Sequence, residues 1–247
     1  MKSEEVKTVA IIQARMGSTR LPEKVLKDLA GQTVLERVIN RAFRAKVLNT
    51  VVVATTTKPS DDAIIRLCQE KDWRYFRGSE EDVLDRYYKA ALENEADVVV
   101  RITSDCPLIE PKIIEQLVAE FMSHYSEVAY VSNTRARTFP LGLDAEVMSF
   151  HALERAWNED DNPAWREHVT PYILRHPEKF RIRDVTAESD YSYMRWTVDT
   201  AEDLAFVRKI YDHFPDDTFS WEDVLRVLEM NPDWLKINQH VQQKVLP

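Results

Sequence analysis

A chain of 247 residues with 44% hydrophobic content is long enough for one substantial core, and its net charge of −9 excludes a broad surface for nucleic-acid phosphates, which needs clustered Lys and Arg. No apolar run approaches the roughly 20 residues of a membrane span, and the charged start MKSEEVKT lacks the apolar stretch and small residues of a signal peptide. Two cysteines, Cys68 and Cys106, make no disulfide framework and match no metal-ligand spacing, so reduced thiols in a cytoplasmic protein are expected.

The first half alternates short β-rich runs with amphipathic helical runs. Strands are expected over residues 9–13, 50–54, 74–76, 98–102 and 128–132. Between them Val34, Leu35, Val38, Ile39 and Ala42 recur at helical spacing, as do Val83, Tyr87, Tyr88, Ala91 and Leu92. Helix starts are marked by Thr33 with Glu36, Ser79 with Asp82 and Thr200 with Asp203, each a hydroxyl followed by an acid three residues on. After about residue 135 come a loop (135–142), an alternating strand (143–148), helical stretches at 150–158 and 163–175, and strand-like FRIRDV and SYMRWTVD. Trp157, Trp165, Trp196, Trp221 and Trp234 fall in this half, where core or subunit packing is expected. The pattern predicts an α/β fold, an open mostly parallel sheet covered on both faces (a Rossmann-like α/β/α sandwich) with a small α+β extension. No repeat or Pro/Gly-rich linker divides the chain, so one domain over 1–247 is expected, with divisions at about 8–134, 135–199 and 200–247.

Ligands of open parallel sheets bind beyond the carboxyl ends of the strands. The first such end reads Ala14-Arg15-Met16-Gly17-Ser18-Thr19-Arg20-Leu21-Pro22-Glu23-Lys24. Gly17 would let backbone N–H groups turn toward phosphate oxygens, while Arg15, Arg20 and Lys24 supply charge-assisted bonds to a triphosphate. This is neither the Walker loop nor the dinucleotide fingerprint. An ordinary solvated basic loop is the alternative, and so many phosphate-binding features directly after the first strand weigh against it.

The second end reads Thr103-Ser104-Asp105-Cys106-Pro107-Leu108. Asp105 is either a ligand of a hard divalent cation such as magnesium or a cap of the turn before a helix near Pro111. Cys106 is expected to be a packed small residue, since no base stands near it in sequence. Further on, Asp199 precedes a capped helix and either completes a metal site with Asp105 or joins Glu202 and Asp203 in helix electrostatics. Asp144 and Glu146 are expected on one face of a strand, and Arg166, Glu167 and His168 open a helix whose polar face can meet the same cleft. Surface ion pairs are the alternative for both clusters. No HExxH or GxSxG pattern occurs, which speaks against a zinc metallohydrolase and the serine elbow.

Taken together and in this order, IIQARMGSTRLPEKVL, RITSDCPLI, LGLDAEV, REHVTPYI and RWTVDTAEDL resemble the cytidylyltransferase family. That family includes the CMP-sialic acid and CMP-KDO synthetases, and the nearest likeness is to its spore-coat polysaccharide branch. The resemblance covers residues from about 9 to 210 and implies a nucleotide-diphospho-sugar transferase type of fold. It also implies a homodimer that uses CTP and magnesium, with sugar binding and dimerisation in the middle segment. By position, Gln13, Ala14 and Arg15 would meet the nucleotide, Ser18, Arg20 and Lys24 its phosphates, and Asp105 and Asp199 the magnesium. Thr55, Arg77 and Ser104 would help recognise base or ribose. The implied chemistry is attack of a sugar-acid hydroxyl on the α-phosphate of CTP, with Arg15, Lys24, Asp105 and Asp199 at the reacting groups; on the reading of the residues themselves, Asp144, Glu146, Arg166, Glu167 and His168 are the candidates to contact the acceptor. Glu23 stands where LPGK-type relatives carry glycine, and its acid either weakens triphosphate binding or points to solvent. The rival readings are a transferase of another nucleotide or a glycosyltransferase on the same fold, and a nucleotide-binding module without turnover.

Overall fold

A computed structural model describes residues 6–243. The first five residues, which carry part of the reading that no signal peptide is present, and the last four of the C-terminal segment lie outside the described residues. A continuous apolar run along the first strand, β1 (Thr8–Gln13), sets the architecture. Its Ala10 and Ile12 enter one hydrophobic core while Val9 and Ile11 enter another on the opposite face, so the sheet is covered on both sides.

The chain continues through a short hairpin, β2 (Asp28–Leu29) and β3 (Gln32–Thr33), whose two turn residues Ala30 and Gly31 both have positive φ, at 53° and 83°. Helix α1 (Val34–Phe43) follows, opened by the expected capping box of Thr33 and Glu36. Then come β4 (Thr50–Thr56), α2 (Asp62–Glu70), β5 (Arg74–Gly78), α3 (Val83–Glu93), β6 (Val98–Thr103) and α4 (Pro111–Ser123). The second half supplies β7 (Tyr130–Ser132), β8 (Glu146–Ser149), α5 (Phe150–Glu159), α6 (Pro163–Arg166), α7 (Pro171–Arg175), β9 (Ile182–Asp184), α8 (Ala201–His213) and α9 (Trp221–Met230). One seven-stranded sheet runs in the order β5-β4-β1-β6-β8-β7-β9. Its pairs are parallel except for β8, which is antiparallel to both β6 and β7.

The α/β class and the mostly parallel sheet are as expected, and four local readings change. The helical stretch at 163–175 is broken at Val169, which takes a left-handed φ of 70°, and Pro171 opens a separate helix as its first residue. The strand expected at 143–148 begins at Glu146, so Asp144 lies in the preceding loop and does not share a strand face with Glu146. Asp82, not Ser79, caps α3, accepting from the Asp85 N–H at 2.9 Å. SYMRWTVD forms a single bridge, Leu141 to Arg195, instead of a strand.

The tryptophans of the second half pack as expected. Trp196 is fully buried, Trp157 stacks on Tyr88 at 4.1 Å, and the other three border the cores. The bridge segment depends on Gly142, which has a φ of 113° and whose Cβ would come within 2.6 Å of the Trp196 carbonyl carbon and the Thr197 nitrogen. Gly142→Ala is therefore expected to cost about 3 kcal/mol through backbone strain and overpacking, a loss that chemical denaturation reads directly.

Candidate active site

The carboxyl ends of β1 and β6 open onto one cleft of about 320 Å³. The chain leaves β1 through a loop that Asp61 anchors from the neighbouring strand-helix connection, its carboxylate accepting from the Met16 N–H at 2.9 Å. The loop closes with Lys24 at the start of a 3-10 turn (Lys24–Leu26). Across the cleft, the segment before α8 is stitched to the loop after β6, since the Val198 N–H and the Thr197 hydroxyl both donate to the Asp105 carbonyl, at 2.8 and 3.0 Å.

These connections bring together two acids that are far apart in sequence. Lys24 Nζ lies 2.8 Å from Asp105 Oδ2 and 2.8 Å from Asp199 Oδ1. Asp199 Oδ2 takes a further bond from Arg20 and another from Arg195, each at 2.8 Å. Arg195 is itself clamped by Asp203, which is fully buried and completes the capping box with Thr200. Burial opposes ionisation of Asp105, but the Lys24 ammonium outweighs it and holds the carboxyl down at about 2. Burial also lowers Lys24, and the two carboxylates override it, so its pKa is raised. Both members are therefore charged across the neutral range.

Two carboxylates converging on one cation offer the hard oxygen donors that magnesium takes, and one or two suffice when phosphates and water complete the shell. The donor set thus fits the divalent cation implied by the sequence. No third His, Cys, Asp or Glu joins it among the described residues.

The wall facing this pair is cationic. Arg15, Arg20 and Lys24 line it, as do Gln13, Ala14, Gly17, Ser18 and Ser104. Gly17 centres a tight turn in which the Ser18 N–H donates to the Met16 carbonyl at 2.8 Å, but it has no positive φ and a Cβ there would meet nothing nearer than 3.7 Å, so the turn does not demand glycine. Arg86 of α3 adds a fourth cation that the sequence reading missed. It is 2% exposed, donates to the Ser79 carbonyl and leaves Nε without a partner among the described residues. Its signal was positional, since residue 86 falls three after Val83 on the inward stripe of the helix.

Three sequence candidates lie elsewhere. Thr55 is fully buried, its hydroxyl spent on Asp61 at 3.2 Å, so it has no surface to offer a base or ribose. Arg77 braces the loop after β4 through the Thr56 and Lys58 carbonyls, and it lines no part of the cleft. Arg166 is held by Asp82 and by the Trp157 and Asp160 carbonyls, which makes it a brace for the α5–α6 connection. Glu167 and His168 do border the cleft. Cys106 is buried, and burial beside the Asp105 carboxylate pushes its thiol well up, in keeping with a packed small residue.

A second cavity of about 550 Å³ adjoins the first, and Thr103 and His168 border both. Asp144 and Glu146 line it through arginines. Asp144 grips Arg137 in a bidentate pair at 2.6 and 2.8 Å, and Glu146 pairs with Arg101 while accepting from the Tyr130 and Thr170 hydroxyls. Arg101 in turn reaches Gln13 at 3.3 Å, linking the two cavities.

A model of the cytidylyltransferase family matches residues 9–237. The chain belongs to the cytidylyltransferase family. It is 34% identical to the spore coat polysaccharide biosynthesis protein SpsF of Bacillus subtilis, over 90% of this chain and 94% of that protein. Over 46% of this chain and 42% of the other, it is 36% identical to the 3-deoxy-manno-octulosonate cytidylyltransferase of Koribacter versatilis. A solved cytidylyltransferase from Leptospira borgpetersenii superposes with a TM-score of 0.91 at 34% identity, covering 98% of this chain and all of that one. The chain is a CTP-dependent nucleotidyltransferase.

The glycine that the resemblance leads one to expect at position 23 has a conformational reason. Glu23 has φ 57° and ψ 24°, a left-handed conformation that glycine adopts without strain, and its side chain is exposed outside the cleft. Its acid points to solvent. Glu23→Gly is expected to stabilise the fold by up to about 1 kcal/mol with CTP affinity unchanged, as thermal melts and calorimetric titration would register.

Proposed function

We propose that this protein transfers CMP from CTP to the hydroxyl of a sugar acid, releasing pyrophosphate and supplying a CMP-sugar for cell-surface or spore-coat polysaccharide. The carrying observation is the convergence of Asp105 and Asp199 on Lys24 inside a cleft lined by Arg15, Arg20 and Arg86. The triphosphate lies along this cationic wall, with Gln13, Ala14 and Ser104 toward the nucleoside and Gly17 and Ser18 toward the phosphates. Arg15, Arg20 and Lys24 neutralise charge on the transferring and leaving groups, which is where such phosphoryl transfers are accelerated. Asp105 and Asp199 would hold magnesium, which when bound would supply charge neutralisation at the α-phosphate and acidify a nearby hydroxyl.

The acceptor occupies the second cavity, where Asp144 and Glu146 act by fixing Arg137 and Arg101, and Glu167 and His168 stand at the junction. The likeness to a 3-deoxy-manno-octulosonate cytidylyltransferase supports an acidic sugar, and the likeness to SpsF supports a place in polysaccharide biosynthesis. No helix among the described residues is long and apolar enough to cross a membrane, and we place the reaction in the cytoplasm, carried out by a homodimer. The test is a pyrophosphate-release screen crossing CTP, UTP, ATP and GTP with 3-deoxy-manno-octulosonate, N-acetylneuraminate and hexose phosphates. Release with CTP and an acidic sugar is expected. Release with UTP and a hexose phosphate would contradict the reading, and CTP binding without any turnover would favour a non-catalytic module.

A further inference from the structure

The break between α6 and α7 is anchored at several points. Val169 is β-branched and fully buried, and it still holds a φ of 70°. Thr170 donates its hydroxyl to the buried Glu146 at 2.9 Å, and its N–H bonds the His168 carbonyl at 2.9 Å. A β-branched residue in this region is strained, and such strain persists only where the surroundings enforce it. Its local effect is to bring His168 to the border of both cavities, between the proposed positions of nucleotide and acceptor. No hydrogen bond or ion pair engages the His168 ring among the described residues.

The other acids at the junction are committed. Asp105 and Asp199 hold Lys24, both oxygens of Asp144 hold Arg137, and Glu146 is taken up by Arg101, Tyr130 and Thr170. Glu167 faces Arg15 at 3.9 Å. The charged groups facing the imidazole are Glu167 from its own turn, Arg101 from β6 and Arg15 from the loop after β1. Burial lowers the imidazole below its ordinary 6.5, Glu167 opposes this, and Arg101 and Arg15 add to it. The ring is therefore neutral and able to accept a proton at neutral pH.

We infer that His168 is the general base of the transfer, an inference that rests on the acceptor reading above. As the acceptor oxygen bonds to the α-phosphorus of CTP, its proton passes to an imidazole nitrogen of His168. The bond from the α-phosphorus to the bridging oxygen breaks, and its electron pair leaves with pyrophosphate.

His168→Gln keeps a polar side chain of similar reach and removes the base. Pyrophosphate release is followed with CTP, magnesium and whichever of 3-deoxy-manno-octulosonate and N-acetylneuraminate the wild type accepts. Expected are a fall in kcat of about 100-fold or more and loss of the acid limb that the wild type shows in kcat/KM below pH 6.5, with the CTP dissociation constant and melting temperature unchanged. His168→Ala is expected to regain rate with added imidazole. An unmoved acid limb with kcat retained overturns the inference alone, as does a loss confined to CTP affinity. Wild-type protein inactive with both acids overturns the acceptor reading and this inference with it.

Discussion

Asp105→Asn is expected to lower kcat for pyrophosphate release by about 1,000-fold or more, roughly 4 kcal/mol of transition-state stabilisation, while the fold survives. The substitution keeps shape and removes one of the two negative charges that meet at Lys24. Lys24 then retains Asp199, so the half-buried ammonium is not stranded, and the stability cost stays near about 1–2 kcal/mol. On the proposed reading, a divalent cation would lose one of the two carboxylates available to hold it, and that is the loss expected to reach the chemistry.

The same variant carries a signature in acid. Asp105 ionises at about 2 in the folded protein, below the ordinary value near 4 of an unfolded chain. A depressed carboxyl contributes stability that is present above the unfolded pKa and is lost as pH falls through the folded one. Wild type therefore loses this contribution between about pH 4 and 2, and the Asn variant, which never had it, shows a shallower decline there. Circular dichroism melts across that window measure the difference. Unchanged turnover in a folded Asp105→Asn protein would remove Asp105 from the reacting groups.

Arg86→Met is expected to move stability and binding in opposite directions. Arg86 is buried and makes no ion pair among the described residues, and burial lowers its pKa despite nearby acids. A buried cation of this kind costs the empty protein desolvation that a carbonyl bond, to Ser79, repays only in part. Methionine keeps the aliphatic volume and discards the charge, so the apo protein should gain about 1–2 kcal/mol in denaturant titrations. Charge-assisted bonds to a polyphosphate disappear with it, and CTP affinity should fall about 10- to 100-fold by calorimetry. Loss of stability together with unaltered affinity would mark Arg86 as a brace of the α3 entry and nothing more.

The parts of the site legible in the sequence were those that announce themselves locally. The loop from Ala14 to Lys24 follows a strand and concentrates cations, and Asp105 follows an apolar strand; position alone made both candidates. That Asp105 and Asp199 would share Lys24 depended on the Val198 and Thr197 bonds to the Asp105 carbonyl, contacts between segments more than 90 residues apart. Thr55 shows the opposite error. A hydroxyl at a strand end resembles a ligand group, but β4 runs on through Thr56 and both hydroxyls turn to Asp61. The break around Val169 had a local signal in the proline two residues on, which the apolar spacing of 163–175 overrode. Arg86 was hidden because a cation on an apolar stripe reads as an exception to the pattern, when the pattern was what placed it in the cleft.

The most direct test is a crystal structure of the protein with CTP and manganese, the metal located by its anomalous scattering. A manganese peak ligated by carboxylate oxygens of Asp105 and Asp199, with the triphosphate against Arg20, Lys24 and Arg86, is the expected result. A nucleotide bound away from this cleft, or a metal held by phosphates with neither carboxylate in its shell, would contradict the account.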